Sequence, residues 1–272
     1  MSREDFGLFG VSVIYGQTTA LSSVDLAVVP GQVAALIGGD GAGKTTAVRA
    51  LVGLVKVNAG RVGRPASSRI GYQPEGAGTW ADLSVAENLD FVGRAFGGTY
   101  RPRRDELLEV TGLASARGRL AGNLSGGMRQ KLAVAMAMLA QPALIVLDEP
   151  TTGLDPVSRA ELWRLLLRSA VEGAALLVTT TYLDEAERAD QVTVLDAGRV
   201  VAAGSALEIR ADFPGTVAVT SSPPGTNHAW RRGRTWRIWV RDGVVPDGAV
   251  VADPDLEDVV TAAALAQREM TR

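Results

Sequence analysis

One segment constrains this chain more than any other: Gly38-Gly39-Asp40-Gly41-Ala42-Gly43-Lys44-Thr45-Thr46. A short apolar run, Val33–Ile37, leads into it, and Lys44–Leu54 follows with apolar residues at helical spacing. Buried strand, glycine loop and helix in that order fit the pattern G-x-x-x-x-G-K-[ST] in the context the pattern requires. Glycines let successive backbone N–H groups converge on phosphate oxygens, and the helix N-terminus adds a favourable dipole. In such a loop Lys44 reaches the β- and γ-phosphates of a nucleotide, and the Thr45 hydroxyl completes a Mg²⁺ shell. The competing reading, a structural glycine turn before a surface lysine, leaves the agreement of motif and context to coincidence.

A loop of this kind belongs to an α/β fold, and the remaining chain supplies one. Alternation marks strands over Leu8–Tyr15 and Leu21–Val29, with a turn at Pro30-Gly31. Further apolar strands are expected at Ala143–Leu147, Ala174–Thr179 and Gln191–Asp196, with helices at Pro156–Val171 and Tyr182–Ala189 between them. Apolar strands alternating with helices imply a parallel sheet covered on both faces. From about Gln73 to Leu139 the pattern is helical alone, over Ser84–Phe96, Arg103–Thr111 and Ser125–Leu139, as an insertion between two halves of the sheet. After Phe213 the composition shifts, and Ser221-Ser222-Pro223-Pro224-Gly225 reads as a linker or loop. Short strands and turns follow, closing on a helix near Leu256–Arg268. At 272 residues the chain suits one large domain, 1–212 with its insertion at about 73–139, plus an extension over 213–272.

Several function classes are excluded early. The net charge of -2 provides no basic field for a phosphate backbone or an anionic membrane. Cysteine is absent, which removes disulfides, thiolate catalysis and Cys-based metal sites. The polar start Met1–Asp5 does not resemble a signal peptide. No apolar run reaches the roughly 18 residues of a membrane span; the most apolar stretch, Leu132–Leu147, is broken by Gln141 and Pro142. The expectation is a soluble chain whose membrane role, if any, comes through a partner.

Two further segments carry chemistry. Leu144-Ile145-Val146-Leu147-Asp148-Glu149 is a buried strand delivering acids at its C-terminal end. Asp148 there suits a Mg²⁺ contact, and Glu149 can orient or deprotonate an attacking water. Leu124-Ser125-Gly126-Gly127-Met128-Arg129-Gln130 opens a helix whose free N–H groups form a ready anion site. The bland alternatives are a strand ending in solvated acids and a helix cap with no ligand.

The glycine loop, the Leu-Ser-Gly-Gly segment and Leu147-Asp148-Glu149-Pro150-Thr151-Thr152-Gly153-Leu154-Asp155-Pro156, in that order, resemble the ABC ATPase family over about residues 6–210. The resemblance implies a P-loop NTPase core with a parallel sheet, a β-rich N-terminal subdomain, the α-helical insertion and a small C-terminal α+β extension. It implies ATP and Mg²⁺ as ligands, with Thr45 and Asp148 on the metal and Glu149 as base. It also implies a head-to-tail dimer of two such chains, identical or not. ATP is then held between the glycine loop of one and Ser125, Gly126 and Gly127 of the other. Tyr15, in Val13-Ile14-Tyr15-Gly16, matches the aromatic that stacks on adenine; the alternative is a strand-end tyrosine packed on the core. Asp155 matches the acid of the loop that communicates across the dimer. The segments Ile70-Gly71-Tyr72, Leu83–Leu89, Thr181–Glu187 and Pro254–Val259 look like the exporter branch. That branch powers a separate membrane permease from the cytoplasmic face.

Two positions depart from the family pattern. Where a Pro-Gln pair usually brings glutamine to Mg²⁺ and water, this chain has Pro74-Glu75, with Gln73 displaced to the other side of the proline. Glu75 is either a third Mg²⁺ contact or a solvated loop acid. The switch histidine expected before Tyr182 is Thr181, and the single histidine, His228, reads as a surface residue outside the motif. Losing one stabilising donor costs a rate on the order of 10²–10³, so hydrolysis is expected to be slow or partner-dependent. Other members of the family act on ribosomes, maintain chromosomes or import. One glycine loop and one signature argue against the two-unit ribosomal type, and the short insertion against the coiled-coil type. The tryptophans and arginines of Trp230–Arg241 are the best argument for RNA, but their alternation reads as an amphipathic strand, so nucleic acid is not expected as a partner.

Overall fold

The computed structural model describes residues 6–76, 78–97, 99–241 and 243–270; Met1–Asp5 lies outside them. In chain order the elements are β1 (Phe6–Tyr15), β2 (Thr18–Val28), β3 (Val33–Ile37), α1 (Lys44–Val52), β4 (Ala59–Gly63), β5 (Ile70–Gln73), α2 (Val85–Phe96), α3 (Arg101–Val110), α4 (Gly126–Met138), β6 (Leu144–Asp148), α5 (Pro156–Val171), β7 (Ala175–Thr180), α6 (Leu183–Ala186), β8 (Gln191–Asp196), β9 (Arg199–Gly204), α7 (Ala206–Ala211), β10 (Thr216–Thr220), β11 (Ala229–Arg232), β12 (Thr235–Val240), β13 (Val250–Ala252) and α8 (Leu256–Met270).

The central sheet runs β5-β6-β7-β3-β8-β9. Its first five strands are parallel, and β9 returns antiparallel from β8 at the edge. A purely parallel sheet was therefore too simple an expectation: the two-residue turn at Ala197-Gly198, both with positive φ, makes a hairpin that no crossover helix could replace.

Strand alternation sorts the core into layers. Ile145, Leu147, Leu176 and Val178 face α2, α3, α4 and α5, while Leu144, Val146, Ala175 and Leu177 face α1 and the antiparallel sheet β2-β1-β4. Both sides being dry explains why these strands read as unbroken apolar runs. The insertion between β5 and β6 is helical, as expected, but β5 itself was missed, and Gln73 ends that strand rather than opening the helical stretch.

Residues after Phe213 form the antiparallel sheet β11-β12-β10-β13 with α8 against it. Ser221–Gly225 is a loop between β10 and β11. Phe213, Val217, Trp239, Leu256 and Val259 share one apolar cluster with Ile37, Val192 and Val194 of the central sheet, so the extension is packed onto the core rather than tethered to it. The strand expected around Trp236–Val240 is present, but it lacks a wet face: Ile238, Trp239 and Val240 are all buried, Trp239 toward the central sheet and its two neighbours on the opposite side. His228 is correspondingly not a free surface residue. It is half-buried, and its ring meets that of Trp239 edge-on at 5.8 Å between centroids.

No described helix is long and apolar enough to cross a membrane.

Candidate functional site

Parallel sheets put their ligand sites at the C-terminal ends of the strands, and here the ends of β3, β6 and β7 converge. The β3 end turns through the glycine loop into α1. Gly43 has φ 107°, and a Cβ there would stand 2.9 Å from both the Ala20 carbonyl oxygen and the Leu21 side chain. A Cβ on Gly38 would stand 2.3 Å from the Leu195 carbonyl oxygen. At Gly39 and Gly41, by contrast, a Cβ would meet nothing, so that side of the loop opens onto free space. The loop is wedged against β2 and the β8–β9 turn on one side and bare on the other.

That bare side is the wall of a cleft of about 570 Å³. Its lining runs over Gly39–Thr46, with Thr18, Thr19 and Ala20 from β2, Ala197 and Gly198 from the hairpin turn, and the acids Glu75 and Glu149. Lys44, nearly buried, donates to the carbonyl oxygens of Gly38 (2.8 Å) and Gly39 (3.2 Å) and lies 3.5 Å from Glu149 Oε1. An ammonium held this way neutralises the loop's inward carbonyls and is available to an incoming phosphate.

The end of β6 is organised around one threonine. Asp148 is 1% exposed, and its Oδ1 accepts from Thr179 Oγ1 at 2.7 Å. The same Thr179 oxygen accepts from the Glu149 backbone N–H at 2.8 Å. Asp148 Oδ2 is buried with no hydrogen-bond partner. A buried carboxylate oxygen left open in this way is the acceptor that a divalent cation or its water would complete. The described residues contain no cluster of three or more acidic or histidine groups able to hold a metal alone. The arrangement therefore suits Mg²⁺, which is bound through one or two protein oxygens plus substrate phosphates. Thr45 and Glu75 line the cleft, and Asp148 ends β6 directly before the cleft residue Glu149, so their oxygens fit that role.

Glu149 has φ 52°, a left-handed conformation unusual for glutamate and worth energy only where the surroundings enforce it. Its N–H goes to Thr179, its carbonyl accepts from Gln130 Nε2 at 3.0 Å, Oε2 accepts from Thr152 Oγ1 at 3.1 Å, and Oε1 faces Lys44. The backbone is thus pinned so that the carboxylate enters the cleft. Gln73 does not: it is 1% exposed and donates to the carbonyl oxygens of Pro74 and Asp148. Of the two residues around that proline, Glu75 is the one in the cleft.

Other candidates lie elsewhere on the same chain. Tyr15, at the end of β1, is 49% exposed and pairs with the cleft residue Thr18, so it is not packed on the core. Ser125 caps α4, accepting from the Met128 N–H at 3.2 Å, and it and Gly126 are exposed, with Gly127 half-buried. Asp155 caps α5, accepting from the N–H groups of Val157 and Ser158, both at 3.0 Å. The hydrogen bonds from Ser158 hold its carboxyl below the usual carboxylate range. Thr181 is exposed just beyond β7. None of Tyr15, Ser125, Gly126, Gly127, Asp155 or Thr181 lines the cleft of its own chain.

Sequence reasoning passed over Thr179, Gln130, Thr152 and the walls Thr18–Ala20 and Ala197-Gly198. The available signal was three threonines closing an apolar strand, Thr179–Thr181, where packing alone asks for valine. A larger cavity, about 730 Å³, lies between β9, α7 and α8; its lining is mostly apolar, including Phe213 and Trp239, with Arg199 and Asp212 as its charged members. It has no glycine loop and suits no polyphosphate.

Known proteins of one family resemble this chain. The family model for ABC transporters matches residues 21–152. The daunorubicin resistance ATP-binding protein DrrA2 of Streptomyces coeruleorubidus is 43% identical over 202 residues, 69% of this chain and 63% of that one. DrrA3 of the same organism is 40% identical over 220 residues, 76% of this chain and 70% of its own length. The chain thus spans less than two thirds of the first of these relatives. Among solved structures, one described as the ATP binding subunit of an ABC transporter superposes with a TM-score of 0.70 at 30% identity, covering 76% of this chain and 92% of that one.

Proposed function

The chain belongs to the ABC transporter family of ATP-binding proteins, and from that premise we propose that it binds and hydrolyses ATP to drive export through a separate membrane permease. The observation that carries the ATPase part is the convergence of Lys44, the open glycine loop and the backbone-pinned Glu149 on one cleft, with the unpartnered Asp148 Oδ2 one residue before Glu149 at the end of β6. Residues 1–212 act as the ATPase domain and 213–272 as its extension.

The loop amides and Lys44 hold the β- and γ-phosphates; Thr45, Asp148 and Glu75 hold Mg²⁺. When bound, Mg²⁺ supplies positive charge to the bridging and terminal phosphate oxygens. Glu149 accepts the proton of the attacking water, and Tyr15 stacks on the adenine. With Ser125, Gly126, Gly127 and Asp155 outside the chain's own cleft, the site is completed by a second ATPase chain, identical or related, facing the first head to tail. Thr181 presents a neutral hydroxyl where a histidine is usual, so turnover in the isolated chain is slow.

Export rather than import is supported by the resistance proteins among the relatives. The permease contact is assigned to the loop Glu75–Leu83 and α2. Asn88, fully buried, fastens that loop to the helix: its side chain accepts from the Trp80 N–H at 2.8 Å and donates to Trp80, Leu83 and Ser84 carbonyl oxygens. The result is an exposed aromatic pair, Trp80 and Phe91, with ring centroids 4.5 Å apart. Such exposed aromatics mark interaction surfaces. The chain works at the inner face of the membrane, held there by this contact. Cysteines placed at Thr79 or Asp82 should crosslink to an integral membrane protein; crosslinks confined to ribosomal proteins would contradict the export reading.

A further inference from the structure

Glu185 is a carboxylate that the phosphate chemistry above leaves unused, and it is fully buried. Burying a charge is costly unless hydrogen bonds and a counter-charge compensate, so its partners show what it is kept for. Oε2 accepts from Thr151 Oγ1 and from Thr180 Oγ1, both at 2.8 Å. Oε1 faces Arg159 Nε at 3.4 Å, and neither atom has a hydrogen-bond partner. Thr180 Oγ1 in turn accepts from the Tyr182 N–H at 3.0 Å, and the Arg159 guanidinium lies 4.2 Å from the centre of the Tyr182 ring.

Those partners come from three segments that matter. Thr151 is in the turn that follows Glu149. Thr180 precedes Thr181. Arg159 is one helical turn from Asp155, to whose carbonyl oxygen its backbone N–H donates at 2.9 Å. One buried carboxylate therefore ties the base, the switch position and the cap of α5.

We propose that Glu185 is a positioning residue that makes these three segments one mechanical unit, so that seating a second chain against Asp155 sets the geometry of Glu149 and Thr181. The inference rests on the ATPase reading above. It requires that Glu185 act on the rate of the chemical step and not on ATP capture, because none of its partners lines the phosphate cleft. The orphaned pair Glu185 Oε1 and Arg159 Nε is the adjustable joint: a small shift of α5 closes it into a hydrogen bond.

The test measures ATP affinity, single-turnover hydrolysis and thermal midpoint in the full chain. Glu185→Gln keeps an oxygen for both threonines and removes the charge facing Arg159. It should lower the single-turnover rate by about tenfold or more, as small misplacements of catalytic groups do, with ATP affinity within about twofold of wild type. Arg159→Gln also removes the stacking on Tyr182 and the ion pair with Asp184 at 3.5 Å, so it should lose at least as much. The double variant should lose clearly less than the two single losses combined, since they share the Glu185–Arg159 contact. If Glu185→Gln does not fold, Thr180→Val should reproduce the rate loss and Thr180→Ser restore most of it. A wild-type rate in folded Glu185→Gln, parallel loss of rate and ATP affinity, or fully additive losses would each overturn the proposal. A wild-type chain that neither binds nor turns over ATP would overturn the ATPase reading first, before any substitution is made.

Discussion

Replacing Thr179 by valine separates packing from polar organisation at the end of β6. The side chains are nearly isosteric, and Thr179 is fully buried, so the apolar contacts survive. What disappears is one hydroxyl that donates to Asp148 Oδ1 and accepts from the Glu149 N–H. A hydrogen bond to a charged acceptor contributes about 1.5–3 kcal/mol, and a buried group left unpaired costs about 1–3 kcal/mol. Allowing for the apolar gain of the added methyl, Thr179→Val should destabilise the ligand-free protein by roughly 2–4 kcal/mol. Thr179→Ser keeps the hydroxyl and loses one methyl, at a cost of about 1 kcal/mol. Urea denaturation of the three proteins reads the order directly. The valine variant should also lose single-turnover rate, because Glu149 no longer has the bond that holds its left-handed backbone. If serine proves as costly as valine, or valine is neutral, the hydroxyl is not what organises the two acids.

Thr181→His should raise the single-turnover rate by about tenfold to a hundredfold if the missing donor limits the chemical step; an unchanged or lower rate with ATP binding preserved would show a site adapted to threonine. Asp155 is held below the ordinary carboxylate range by its bonds from Ser158, so its cap stabilises the protein above the unfolded-state value, near pH 3.8, and fades as pH falls through the lowered folded one. The stability difference between wild type and Asp155→Asn should therefore shrink in denaturation curves taken from pH 6 down toward pH 3; a difference that stays constant would mean that the charge plays no part.

The elements readable from sequence are those where one signal dominates. Val33–Ile37, Gln191–Asp196 and Pro156–Val171 have the bounds expected of them, because doubly buried apolar runs and a proline one residue after an aspartate cap leave little choice. The missed strands carry weaker marks. Ala59–Gly63 is an edge strand with two glycines and exposed residues, Ile70–Gln73 has only four residues, and β9 follows β8 through an Ala-Gly turn easily taken for a loop. Trp239 misled for a physical reason: alternation assigns one face to water, and here a second layer covers that face too.

Site chemistry divides along the same line. The contiguous glycine loop, Gly38–Thr46, was legible as a strand–loop–helix turn because its spacing alone specifies the backbone. Thr179 and Gln130 were not, since each acts on Glu149 from a distant segment, and only the fold brings them together. Glu185 sits in a segment quoted for its family likeness, yet nothing local shows that it is buried beneath Thr151 and Thr180.

Equilibrium MgATP binding and single-turnover hydrolysis, measured side by side on wild type, Lys44→Ala and Glu149→Gln, test the central claim most directly. The account predicts that Lys44→Ala loses useful ATP binding, while Glu149→Gln binds MgATP with near wild-type affinity and fails to hydrolyse it. Full hydrolysis by Glu149→Gln, or undiminished binding by Lys44→Ala, would contradict it.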